Sequence, residues 1–201
     1  MLRSQFLGGS FHVPLDILEI LIAKNFVGPD LQEQVEQGLR SENSFYQLFQ
    51  GKFIPRLPRE QRESLETALE ASDPIRIHLE TALRMLSDRE HPDYRNSIKE
   101  SISAVESACQ KLTGVDNATL TRALNKLHAT RPIHDDFRDA LKRLYWWTSD
   151  DSGMRHALSS APTVTLADAQ FMLVACSAFT PTRRKFVTHS LCLFAATAVD
   201  L

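Results

Sequence analysis

The chain has 201 residues, of which 43% are hydrophobic and 24% charged, which supplies a core and an ordinary share of charge for a globular protein. A formal net charge of −2 and an isoelectric point of about 6.4 exclude a global basic field for nucleic acid, leaving only local basic patches open. Cys109, Cys176 and Cys192 are odd in number and lie in apolar settings, which excludes a disulfide framework and fits core thiols in a reducing, cytoplasmic compartment.

The start of the chain shows no signal-peptide pattern. The apolar run LDILEILIA at 15–23 carries Asp16 and Glu19 and is too short for a bilayer, which takes about 20 apolar residues. Pro14 at a first helical turn and the spacing of Leu15, Leu18, Leu21 and Ile22 predict a helix with one apolar face. Gly28-Pro29-Asp30 breaks it. Asp30 with Glu33 reads as a capping box for a second helix, along which Leu31, Val35 and Leu39 form a thin stripe. Between 44 and 56 the aromatic and branched residues flanking Gln50-Gly51 predict a short β-hairpin. Pro58 restarts helix, with Leu65, Ala68 and Leu69 as its sparse apolar face.

Asp73-Pro74 reads as an N-cap followed by proline at the first helical position, and marks the boundary between regions 1–72 and 73–201. Ile75, Leu79, Ala82 and Leu86 then step along one helix. Asp93 caps the next, on which Tyr94, Ile98, Ile102, Val105, Cys109 and Leu112 share a face, and Gly114 ends it. Leu120, Ala123, Leu124 and Leu127 mark a short third helix. Pro132 opens a fourth, with Ile133, Phe137, Ala140, Leu144 and Trp147 expected on one face; core packing is expected for both Trp146 and Trp147, the alternative being one ring in solvent as a dimer or base-stacking surface. Thr165 and Asp168 are placed to cap a largely buried helix through FMLVACSAF. Thr180-Pro181 interrupts the chain before RRKFVTHSLCLFAATAVDL, a candidate last helix. The fold class is therefore all-α: an antiparallel helical bundle over 73–201, preceded by a small helix-plus-β-hairpin region over 1–72.

The runs DYRNSIKESISAVESACQKLTG (93–114), TLTRALNKL, LYWWTSDDSGMRHAL and DAQFMLVACSAF resemble, in that order, the C-terminal domain of AbiJ-like abortive-infection proteins, within the HEPN superfamily. The resemblance covers about residues 73–179, and FYQLFQGKFIPRL resembles the segment that often precedes this domain. It implies a HEPN-like bundle of four or five helices, a homodimer, and a phage-defence role with RNA or a defence-system protein as partner. It implies no cofactor, no metal and no membrane. Many members are metal-independent ribonucleases, whose signature is an arginine followed after some four to six residues by a histidine. Imidazole exchanges a proton with the ribose 2′-hydroxyl or the leaving oxygen, while the guanidinium holds the phosphate as its charge develops.

His156 is the position that matches the family histidine, and here the chain departs from the signature. Thr148, Ser149, Asp150, Asp151 and Ser152 occupy the upstream window, and the nearest arginine is the adjacent Arg155. Neighbours on a helix diverge by about 100°, so Arg155 and His156 do not readily face one atom. The TSDDSGMRHAL stretch (148–158) also reads as a capped turn whose acidic residues pair with Arg155 and His156. Arg184 and His189 have the literal spacing but lie beyond the resemblance. Glu106 borders the apolar face and is a candidate to orient His156, or else a solvated partner of Gln110 or Arg122. Arg95, Asn96, Arg183 and Arg184 are candidate ligand or RNA contacts; polar helix starts account for them equally. His78, His91, His128 and His134 show no ligand pattern and receive no role. Two functions stay open: a defence-associated interaction or sensing protein without efficient catalysis, and a metal-independent endoribonuclease toxin acting on RNA through His156 and Arg155, with Glu106 in support. A bundle serving only for dimerisation is the third, generic reading.

Overall fold

The computed structural model describes residues 11–116, 118–130, 134–148 and 164–180. The chain divides into two compact units, Met1–Arg59 with Arg89–His91, and Glu60–Asp88 with Pro92–Leu201. Among the described residues there are eight helices and one two-stranded sheet, and no helix is long and apolar enough to cross a membrane.

In the first unit, α1 (His12–Ala23) and α2 (Pro29–Ser41) accompany an antiparallel hairpin of β1 (Tyr46–Phe49) and β2 (Lys52–Pro55). The turn takes positive φ at both central residues, 48° at Gln50 and 78° at Gly51, which matches the twist of the strands. Gly51 is also where α1 comes close: a Cβ there would stand 3.1 Å from Cγ2 of Ile22. Leu48 and Phe53 face each other in the ladder with their amides turned outward. Each amide finds a carboxylate: Leu48 N donates to Glu36 of α2 at 2.7 Å, and Phe53 N donates to Glu19 of α1 at 2.8 Å. Arginines take the carbonyls on the same edges. Arg56 donates to the Tyr46 carbonyl at 2.9 Å, and Arg89 donates to the Phe53 carbonyl at 3.0 Å and to Glu19 at 2.9 Å. Arg89 also bonds Asp16, whose other oxygen lies 3.0 Å from His12 Nδ1. Both edges of a sheet that would otherwise offer unpaired backbone are thus closed by side chains.

One expectation for this unit fails. Asp30 is not the cap of α2; Gly28, with ψ of 170°, occupies that position, and Asp30 lies in the first turn, where a negative charge suits the helix dipole. Of the thin α2 stripe, Val35 and Leu39 are half-buried and Leu31 is exposed.

α3 (Arg59–Leu69), which belongs to the second unit from Glu60 onward, buries Leu65, Ala68 and Leu69. α4 (Asp73–Ser87) buries Ile75, Leu79, Ala82 and Leu86, the four residues its spacing predicts. Its cap is Ser72 rather than Asp73, because the extended Ser72 supplies the carbonyl that receives Ile75 N and Arg76 N; Asp73 instead accepts from Arg76 at 3.0 Å. α5 (Tyr94–Thr113) runs from the Asp93 cap to Gly114, whose φ of 63° ends it, and it packs against α4, α6 (Leu120–Thr130), α7 (Asp135–Thr148) and α8 (Leu166–Phe179). α4 and α5 are antiparallel: Asp93 N meets the Met85 carbonyl, Ser97 Oγ the Ala82 carbonyl, and Glu100 the ring of His78. The capping box of Thr165 and Asp168 opens α8 as predicted. Cys109 and Cys176 are buried thiols, while Cys192 lies outside the described residues.

α7 departs from expectation. It begins at Asp135, after Pro132 and Ile133, which lie outside the described residues. The face assigned to the core is largely in water. Phe137 is 49% exposed, Trp146 51% and Trp147 39%, and Thr148 is the helix's buried residue.

Candidate functional site

α5 positions the chemistry of the second unit because four other helices pack around it. At its start Asn96 is committed to the cap: its backbone N donates to Asp93 at 3.1 Å and its Nδ2 to the second carboxylate oxygen at 2.6 Å. Neighbouring Arg95 points elsewhere. Its Nε and Nη2 are shielded from solvent, and among the described residues neither has a hydrogen-bond partner. No acidic residue occupies the first turn of this helix to balance it. A guanidinium carries only donors, so unmet ones mark Arg95 as a group able to receive an acceptor.

One turn further on, His78 Nδ1 of α4 lies 2.7 Å from Glu100 Oε2 of α5, with about a third of each side chain exposed. The antiparallel register supplies this pair, since Ser97 opposite Ala82 brings His78 level with Glu100. Glu106 lies beyond them on α5, half-buried, and burial raises its carboxyl above the ordinary range while the charge of His78 pulls it down. The same carboxylate reaches two further groups electrostatically. Burial first, and Glu106 second, raise the Tyr145 phenol of α7 and push the Cys109 thiol up to about 12. At neutral pH Cys109 is therefore a thiol and a poor nucleophile. The arrangement sets an imidazole, two carboxyls and a phenol from three helices within one another's field. Among the described residues no group of three or more His, Cys, Asp or Glu is placed to hold a metal ion.

No family model, curated protein or solved structure gives a significant match to the chain.

Of the residues singled out by sequence, the structure places Arg95, Asn96 and Glu106 on α5. Asn96 is a capping residue, bonded back to Asp93. Gln110, a possible partner of Glu106, donates instead to the Ala118 carbonyl at 2.7 Å. Arg155, His156, Arg183, Arg184 and His189 lie outside the described residues, as does TSDDSGMRHAL after Thr148. His78 was assigned no role by sequence, yet it is half of the hydrogen-bonded pair joining α4 to α5. The signal was present in part: His78 stands beside Leu79 of the α4 stripe, at the edge of a face that must meet another helix.

Proposed function

We propose that the chain is a phage-defence-associated, HEPN-like protein that binds or senses a partner as a homodimer, without efficient catalysis of its own. The observation that carries this reading is the use to which α5 puts the polar residues of its family-like motif. Asn96 closes the helix start, Ser97 Oγ bonds the Ala82 carbonyl, and Ser101 Oγ bonds the Ser97 carbonyl. Ser97 secures α5 against α4, while Asn96 and Ser101 bond within α5 itself, which is the work of a scaffold. Exposed aromatic residues on α7 suit a protein partner or an RNA base, and Arg95 suits an anionic group. The missing arginine upstream of His156 agrees with weak or absent turnover.

The alternative is a metal-independent endoribonuclease toxin using His156 and Arg155, with the half-buried carboxyl of Glu106 on α5 in support. Incubating the purified protein with mixed RNA in EDTA separates the two readings. The binding reading expects intact RNA at every protein concentration and a dimer by light scattering. Cleavage that disappears in His156→Ala would overturn it in favour of the enzyme, and a strict monomer at tens of micromolar would remove the homodimer.

A further inference from the structure

α5 carries two neighbouring cations without a counter-charge among the described residues. Arg95 and Lys99 stand four residues apart, so their side chains leave the helix on one side, and both are half-buried. The donors of Arg95 that stay unmet are Nε and Nη2, which together form one edge of the guanidinium fork. Ser103 Oγ donates to the Lys99 carbonyl at 3.0 Å, while the Lys99 ammonium has no ion-pair partner among the described residues. The acids nearest in sequence are engaged elsewhere: Asp93 accepts from Asn96 with both carboxylate oxygens, and Glu100 meets His78. Other arginines of the second unit are answered locally. Arg76 has Asp73 and Glu80, and Arg138 has Asp135 and Asp139.

Like charges at this spacing destabilise a helix, and a shielded donor without an acceptor costs free energy as well. Both costs are relieved by an anion with several acceptor oxygens and more than one negative charge. A phosphate group has these properties: two oxygens match the Nε–Nη2 edge side by side, and a third is free to meet the ammonium one turn on. A carboxylate has two oxygens and a single charge, so it satisfies the arginine and leaves the lysine. Turning the fork onto a phosphate exchanges two unmet donors for two charge-assisted hydrogen bonds. We propose that Arg95 and Lys99 together form a binding site for a phosphate group, carried by a phosphate monoester or by the backbone of RNA. The inference rests on the binding reading of the chain and names the group that is bound.

The full chain is titrated with inorganic phosphate in Tris at fixed ionic strength, with chloride as the control. Phosphate is expected to raise the unfolding midpoint saturably, and chloride is not. Arg95→Lys keeps the charge but loses the fork, and Lys99→Gln loses the charge. Each is expected to weaken phosphate binding about tenfold, roughly the loss of one charge-assisted hydrogen bond. Equal shifts with phosphate and chloride, or full affinity in both variants, overturn the proposal and leave an adventitious ion only. Arg95→Met guards against a folding artefact: without phosphate it is expected to be at least as stable as the wild type, because the unmet donors leave with the side chain. A marked fall in its midpoint shows that Arg95 already has a partner, and also overturns the site. Short single-stranded RNA with and without a 5′-phosphate identifies the source. Dependence on the terminal phosphate assigns a monoester, equal binding assigns the backbone, and either upholds the site. Failure of the site in a dimer that leaves RNA intact in EDTA spares the proposed function, so the two fail separately.

Discussion

His78 and Glu100 meet at 2.7 Å although 22 residues separate them, and their contact ties α4 to α5 at mid-length. The pair is about a third exposed, so solvent screens it and its worth is modest. A double-mutant cycle of His78→Ala and Glu100→Ala, read by urea unfolding, is expected to give a coupling of roughly 0.2–1 kcal/mol. Additive single effects would show that the two side chains are only neighbours.

Glu106 gives the second unit a defined pH dependence. Its folded pKa lies above the unfolded value because burial disfavours the charged form. Its contribution is therefore most favourable below the unfolded pKa and is lost as pH rises through the folded one. Glu106→Gln removes that loss. It is expected to stabilise the protein at pH 7 by up to about 1 kcal/mol, given the solvent screening of a half-exposed group, and to bring no gain near pH 4. Denaturant unfolding at the two pH values checks the sign, and equal effects at both would exclude Glu106 as the titrating group.

Arg89 is 7% exposed and holds Asp16, Glu19 and the Phe53 carbonyl together. Burial and the two carboxylates act in opposite directions on it, and the net effect keeps the guanidinium charged. Arg89→Met leaves the mostly buried Glu19 without its main counter-charge, and is expected to destabilise the first unit by about 3 kcal/mol. Hydrogen exchange of the hairpin amides reports on this unit directly; unchanged protection would contradict the assigned role.

Gly51 is constrained twice, by its φ of 78° and by the approach of Ile22. Gly51→Ala is expected to cost about 1–2 kcal/mol from backbone conformation alone, with the contact adding to it. Thermal unfolding of the variant next to Gly28→Ala isolates the effect, since a Cβ at Gly28 meets nothing within 4 Å.

The features legible in sequence are those whose cause is local. The hairpin turn needs two residues of positive φ and has Gln50-Gly51; the α8 capping box needs Thr165 and Asp168 three apart; the α4 and α5 stripes follow helical spacing. Cap positions slipped by a residue or two where proline was used to count, because Ser72 and Gly28 provide the extended backbone that precedes each helix. The α7 stripe has good spacing but lies largely in water, since periodicity marks a face without saying what covers it. His78 with Glu100, and Glu19 with Phe53, depend on the register between separate elements, which spacing within one element does not encode. Of the candidate site, Glu106 was legible as a polar residue at the edge of an apolar stripe, whereas its shared field with Tyr145 belongs to the packing of α5 on α7.

The discontinuity of the first unit bears on the order in which the chain acquires structure. Asp16, Glu19 and both strands leave the ribosome long before Arg89, which lies 73 residues after Asp16. Until Arg89 emerges, the Phe53 carbonyl and two carboxylates have no counterpart from it, and by then all of α3 and α4 has been synthesised. During translation the N-terminal segment thus stays incomplete while α3 and α4 are made, and has all its residues before α5 is synthesised. It completes its bonding only when a short segment from the middle of the chain returns to it.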